Sequence, residues 1–398
     1  MSVNGRRRYL ERDGPELGCC LSCGDSGLRS FYSVQKIPVL LNQLAPTRAA
    51  ALQAATGDLE LAFCPGCGFI QNVVFDPTLI SYTIDYEASQ THSPRFVAFI
   101  QGLARELSER HEIRGKTVLE IGCGKGEFLS LLWELGGCRG IGIDPACPQP
   151  ERLDGAIRLI TDVYGPRYRH LEAELVCCRH TLEHLAQARA FLDLLRSCLD
   201  GSVVTVFFEV PDTARILAEG AFWDIYYEHC SYFTLGSLGR MFQSCGFELL
   251  DLRTAFQDQY LLLEARPGSG GLPPPDDRAA VSRLVRSFEI RLARQRTEWR
   301  ALLEGARRDG RRVALWGAGS KGVTFLNALR AAEAIDCVVD INPMKCNLFI
   351  PGTGHRVQAP QALRAHPPDL VVLMNPAYLS EVRQRLAELG IWPEIRAP

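Results

Sequence analysis

The sequence predicts an α/β protein in which a small cysteine-bearing module precedes two doubly wound parallel sheets. Three observations predict it. Apolar strand-like and amphipathic helix-like segments alternate between residues 81 and 266, a second strand–glycine–helix unit opens at Arg312, and two CxxC pairs precede both. The length of 398 residues fits two to four domains at roughly 100–200 residues each.

Composition narrows the class. Hydrophobic residues make up 46% and charged residues 23%, as in soluble globular chains rather than disordered or fibrous ones. The net charge of −2, from 44 basic and 46 acidic residues, supplies no bulk positive field for a phosphate backbone, so nucleic acid is not an expected partner. No run of 18 apolar residues occurs, and Arg6, Arg7 and Arg8 have no apolar stretch behind them. The expectation is a cytoplasmic protein, not bound to membrane, that is a monomer or weak homodimer.

Residues 1–17 are polar and Arg-rich and read as a flexible tail. Residues 18–78 read as a zinc-binding module. Of the 15 cysteines, Cys20-x2-Cys23 and Cys64-x2-Cys67 form two knuckles, each followed by a glycine (Gly24, Gly68) that lets backbone amides turn toward thiolates. Four thiolates satisfy a tetrahedral Zn²⁺ and leave no position for water, so the metal is expected to be structural. Cys19 is adjacent but less well spaced. The charges between Gly18 and Asn72 cancel, which argues locally against a nucleic-acid ribbon. The other cysteines are read as reduced thiols, mostly in the core.

Residues 79–266 contain KTVLEIG, FLSLLWEL, GIGID, ELVCCRH, AQARAFLDLLRSCL and SVVTVFFEV in strand–helix alternation. The turn Glu120-Ile121-Gly122-Cys123-Gly124-Lys125-Gly126 lies between a strand and a helix. Its glycines admit a ligand close to the backbone, and Asp144 at the end of the next strand can accept from ribose hydroxyls. A structural turn or an NAD site is the less favoured reading. His180 follows the strand ELVCC at its carboxyl end, where ligands of parallel sheets collect, and His184 is expected on the helix beyond it. The segment Tyr226-Tyr227-Glu228-His229-Cys230-Ser231-Tyr232 is polar, aromatic and aperiodic, which suits a pocket wall better than a core.

Residues 267–275, within RPGSGGLPPPDD, read as a linker. Residues 276–398 read as a Rossmann-like domain that opens with a long Arg-rich helix capped by Asp276 or Asp277 and ending near Arg308. Then Gly317-Ala318-Gly319-Ser320-Lys321-Gly322 gives GxGxxG after a strand, with Asp340 about twenty residues on. Ser320 and Lys321 could meet a substrate diphosphate at the helix start. NAD or a purely structural turn are the alternatives.

The chain resembles the S-adenosylmethionine-dependent sugar C-methyltransferases of deoxysugar biosynthesis. The resemblance runs nearly end to end through the CxxC pairs, DYEASQTHSPRF, VLEIGCGKGEFL, RHTLEHL, FFEVPD, YYEHCSYFT and DINPMKCNLFIPGTGHRV. It implies a zinc module, a class I methyltransferase domain and a Rossmann-like C-terminal domain that helps hold a nucleotide sugar. It also implies that Glu120, Gly122, Gly124, Gly126, Asp144 and Asp162 hold S-adenosylmethionine, with Asp162 facing the adenine amine. His229 would be the general base, with His180, Tyr226 and Glu228 around it, Glu228 orienting it, and Tyr86 rather than Tyr82 lining the pocket. Gly317, Gly319, Ser320, Lys321 and Asp340 would hold substrate. The expected activity is methylation of the carbon next to the ketone of a 4-keto-deoxysugar linked to thymidine diphosphate. An O- or N-methyltransferase, or a non-catalytic zinc-containing nucleotide-binding protein, are the competing readings.

Overall fold

The computed structural model describes residues 18–147, 152–153, 155–199, 201, 203–329 and 332–397, so the expected tail at 1–17 lies outside the described residues. Its strands form three sheets. The first is antiparallel, with order β1 (Arg29–Pro38), β2 (Thr56–Phe63), β3 (Ile70–Asn72) and β10 (Ser231–Tyr232). Its last strand comes from the histidine-bearing segment, far from β3 in sequence, so this sheet is completed by the neighbouring unit.

The second sheet runs β11 (Phe247–Ala255), β12 (Tyr260–Pro267), β9 (Thr205–Pro211), β8 (Leu175–Arg179), β4 (Thr117–Ile121), β5 (Arg139–Ile143), β7 (Ile157–Ile160), β6 (Arg152–Leu153). Strands β7, β5, β4, β8 and β9 are parallel, while β12, β11 and β6 are antiparallel additions. The order reverses between β4 and β8, so a crevice opens beyond their carboxyl ends. β4 and β8 are almost wholly buried apolar runs, as strands covered on both faces must be.

The third sheet is fully parallel, with order β15 (Val357–Gln358), β14 (Cys337–Val339), β13 (Val313–Trp316), β16 (Leu370–Leu373), β17 (Glu394–Arg396). Its switch point lies at β13, whose carboxyl end carries Gly317. A Cβ at Gly322 would run into the Gly317 carbonyl oxygen, which is why the third glycine of this turn has no side chain.

One apolar core joins the first and third sheets: Tyr32, Leu59 and Leu61 pack with Phe222 and Trp223, with Phe288 and Trp299 of the helix Arg278–Arg308, and with Leu315 and Phe325. Pro267 of the expected linker still ends β12, and the segment 268–275 has no helix or extended strand, as its glycines and prolines predict, yet it is fixed. The Leu272 amide donates to Leu249 O, and Pro275 O accepts from Arg240. Asp277 directly precedes the long helix but does not cap it through its side chain. Its carboxylate accepts from Thr234 Oγ1 and the Gly236 amide, at the start of the helix Leu235–Ser244, and from Arg240. No helix among the described residues is long and apolar enough to cross a membrane.

Candidate active site

Four elements converge on a cleft of ≈ 370 Å³ between the second and third sheets. His180 enters from β8, Tyr226, Glu228 and His229 from the segment before β10, and Gly317, Gly319, Ser320 and Lys321 from the turn after β13. Tyr86 and its neighbours form a strap along the wall. The catalytic and substrate groups expected from sequence therefore meet in one cavity.

His180 has φ +47°, an uncommon conformation for a side-chain-bearing residue, and its amide is fixed by Glu209 O at 2.8 Å. Its ring nitrogens face two buried carboxylates, Glu183 at 3.6 Å and Glu209 at 3.3 Å. Burial lowers its affinity for a proton, but the two carboxylates outweigh burial and lift it to about 9. His229 is the opposite case. Burial, then repulsion from His184 and His180, pushes it well below the ordinary histidine value. At neutral pH His180 is thus cationic and His229 neutral.

His229 meets Tyr226 edge-on at 4.7 Å and His184 at 4.8 Å between ring centroids. His184 lies on a short 3₁₀ turn, Leu182–His184, and its Nδ1 pairs with the Tyr82 hydroxyl at 2.8 Å. Tyr82 packs edge-on against Tyr86 at 5.1 Å, so the two tyrosines weighed in the sequence are neighbours, with Tyr86 lining the cleft. Glu228 does not orient His229. Its carboxylate accepts the Leu41 amide at 3.0 Å beside Tyr86, and burial lifts it to about 7. Tyr226 donates its hydroxyl to Asp224 at 2.9 Å.

Asp224 is a pocket residue the sequence reading missed. It is 5% exposed and bound by Arg215 and Lys321, which outweigh burial and hold its carboxyl at about 2. Lys321 consequently points at Asp224 and not along the glycine turn. The cation beside that turn is the buried Lys345, with Nζ 3.4 Å from Asn42 Oδ1. Asn42 in turn donates to Ser320 at 2.8 Å. Asp340 binds the Ala318 and Asn342 amides at 2.7 and 2.8 Å.

Glu120, Gly122, Gly124, Gly126, Asp144 and Asp162 are not among the residues that line this cavity; Gly122 backs onto Thr181, the residue after His180. Thr181 fills the space where a Cβ on Gly122 would stand, while a Cβ on Gly124 would meet nothing within 4 Å. Asp144 accepts the Gly124 amide at 2.9 Å and the Ala146 amide at 2.7 Å. Glu120 is fully enclosed, one of its oxygens has no hydrogen-bond partner, and burial lifts it to about 8. An open backbone turn beside an unsatisfied buried carboxylate fits a cationic amino-acid ligand such as S-adenosylmethionine. The Asp162 carboxylate is already engaged by Tyr168, Arg167 and the Val163 amide.

The four cysteines come together. Cys20 and Cys67 sulfurs are 3.6 Å apart, as are those of Cys23 and Cys64, and all four lie within 4.8 Å of one another. Thiolates about 2.3 Å from zinc would be about 3.8 Å apart, so the set fits a tetrahedral ion. Both knuckle glycines have φ +79° and donate to the first cysteine's carbonyl at 2.8 Å. Cys19 is outside the cluster. Glu183, His184 and His229 also bring ligand atoms within 4.8 Å, but Glu183 faces His180.

A family described as a methyltransferase domain matches residues 91–252, and one described as a C-methyltransferase C-terminal domain matches residues 278–393. The C-methyltransferase NovU of Streptomyces niveus is 26% identical over 390 residues, covering 91% of this chain and 90% of that protein. Among solved structures, the 1,6-didemethyltoxoflavin-N1-methyltransferase of Burkholderia thailandensis, with bound S-adenosylhomocysteine, is 14% identical and covers 43% of this chain and 79% of that one, with a TM-score of 0.32. The magnesium protoporphyrin IX methyltransferase of Synechocystis PCC 6803 is 16% identical over 42% of this chain and 80% of that one, also at 0.32. With a methyltransferase domain followed by a C-methyltransferase C-terminal domain, and similarity to NovU along nearly its whole length, the chain has the makeup of an S-adenosylmethionine-dependent C-methyltransferase.

Proposed function

We propose that the protein methylates the carbon next to the ketone of a 4-keto-deoxysugar linked to thymidine diphosphate. The observation that carries this reading is the pairing, in one cleft, of a neutral His229 with a cationic His180. Methylating carbon requires a carbanion, and a ketone supplies one when a base removes the neighbouring proton while a cation or donor holds the developing enolate oxygen. Two like groups driven apart in proton affinity are suited to those two duties.

In this reading His229 takes the proton, and the charge of His180, locked between Glu183 and Glu209, stabilises the developing enolate. Tyr226 is committed to Asp224, so its duty is to pack the face of His229. Tyr86 closes the wall beside Glu228. Gly317, Gly319, Ser320 and Lys345 receive the diphosphate, and Asp340 holds their turn in place. Glu120, Gly122, Gly124, Gly126 and Asp144 would hold S-adenosylmethionine, which supplies an electrophilic methyl group when bound. Asp162 lies beside that site through its backbone contact with Asp144. Cys20, Cys23, Cys64 and Cys67 would hold a structural Zn²⁺.

The test is to incubate the protein with labelled S-adenosylmethionine and a panel of 4-keto sugar nucleotides and to locate the methyl by NMR. Methyl on carbon next to the ketone is expected, and methyl on oxygen would overturn the reading. His229→Ala should abolish exchange of the substrate's α proton with deuterated solvent.

A further inference from the structure

The strap that carries Tyr86 also carries Glu87, a carboxylate with no place in the chemistry above. It is 8% exposed, and its two oxygens are shared between the surroundings of the two glycine turns. One oxygen takes Lys125 Nζ at 2.5 Å, and Lys125 lies inside the turn after β4, between Gly124 and Gly126. The other takes Asn342 Nδ2 at 3.0 Å. Asn342 in turn donates its amide to Asp340, and Asp340 accepts the amide of Ala318 within the turn after β13.

The contacts are therefore continuous from one glycine turn to the other: Lys125, Glu87, Asn342, Asp340, Ala318. The backbone of Glu87 adds a third tie, since its amide donates to Asn42 O at 2.9 Å and the Asn42 side chain holds Ser320. The flanking strap residues repeat the arrangement. Ser89 donates to Glu127 at 2.6 Å on the cofactor side, and Ser93 donates to Glu381 at 2.7 Å on the other.

We propose that Glu87 is a positioning residue that couples the two sites, so that S-adenosylmethionine in the first and a nucleoside diphosphate in the second favour each other's binding. This rests on the ligand assignments of the preceding section. A ligand that orders the 122–126 turn fixes Lys125, and through Glu87 it fixes the loop bearing Asn342 and Asp340. The second ligand then meets a turn that is already ordered. By linkage the effect must be reciprocal, and couplings of this kind amount to about 5- to 150-fold in affinity.

The experiment is calorimetry on the full chain with S-adenosylhomocysteine and thymidine diphosphate as probes, each titrated alone and in the presence of saturating amounts of the other. Wild type should show the same tightening, at least about fivefold, in both directions. Glu87→Gln, which removes the charge facing Lys125, and Lys125→Met should bring that ratio close to one. Each variant should still bind either probe alone, and its KM for sugar nucleotide should rise more than its kcat falls. Lys125 is half-exposed, so its variant carries the test if Glu87→Gln does not fold. A wild-type ratio of one, or a ratio unchanged in both variants, overturns the coupling and leaves the ligand assignments intact. Failure of thymidine diphosphate to bind wild type at all overturns the nucleotide site and the coupling with it.

Discussion

Lys321 and Asp224 form an ion pair across the cleft, joining the helix that follows the C-terminal glycine turn to the segment that carries His229. Asp224 is also held by Arg215 at 2.6 Å and by the Tyr226 hydroxyl, so three groups converge on one buried carboxylate. The helix after the C-terminal glycine turn thereby reaches into the wall of the cleft.

Lys321→Met should destabilise the protein by about 3 kcal/mol, because removing one partner leaves buried charge only partly compensated. Asp224 has its carboxyl held at about 2 against 3.8 when free. Its stabilising contribution is therefore complete above pH 3.8 and is lost as the pH falls from there toward 2. Urea midpoints measured across that range should drop for wild type and change less for Asp224→Asn. Equal slopes in the two proteins would refute the assignment.

The pH profile of α-proton exchange should be bell-shaped. His229 lies below 6.5, so the base stays unprotonated through neutrality and the acid limb falls under that value. His180 lies at about 9, so the alkaline limb appears there as the cation is lost. His180→Asn should slow exchange about 10²- to 10³-fold and remove the alkaline limb. Glu228 titrates at about 7, between the limbs, and Glu228→Gln identifies any contribution it makes.

One zinc per chain should be found by elemental analysis of protein purified without chelator. Burial holds the Cys64 thiol at about 12, a proton affinity that a bound cation reverses. The loss of metal should spread beyond the module. Arg240 Nε donates to Cys67 O, Arg278 donates to Gly66 O, and Phe69 packs on Phe233 at 5.3 Å. Cys64→Ser should therefore lower the melting midpoint and open the helix Leu235–Ser244 to protease, as well as the knuckles themselves.

The glycine turns, the paired cysteines and the Tyr-x-Glu-His segment were legible because each is a local pattern whose chemistry needs neighbours in sequence. Asp224 was within reach, two positions before Tyr226, but an acid among aromatics carries no periodic signal. Asn42, Glu87 and Lys345 were beyond reach. Each acquires meaning only through partners 38 or more residues away, such as Lys125 for Glu87 and Ser320 for Asn42. The pairing of β10 with β3 was hidden for the same reason, since a two-residue strand has no pattern of its own. Lys321 illustrates a further limit. Its position beside GxGxxG suggested phosphate, and only the buried Asp224 reveals where a long flexible cation is drawn.

Two glycines of one turn should fail in different ways. Gly122 has φ +74° and is backed by Thr181, so Gly122→Ala combines backbone strain with overlap and should lower the melting midpoint by several degrees. Gly124 has φ +54°, within reach of other residues at about 1 kcal/mol, and a methyl there would touch nothing. Gly124→Ala should fold with a melting midpoint near wild type, yet bind S-adenosylhomocysteine at least about tenfold more weakly, because the ligand needs the space the methyl would occupy. Calorimetry beside thermal melts separates the two effects. A Gly124→Ala protein with undiminished affinity would place the cofactor elsewhere than over this turn.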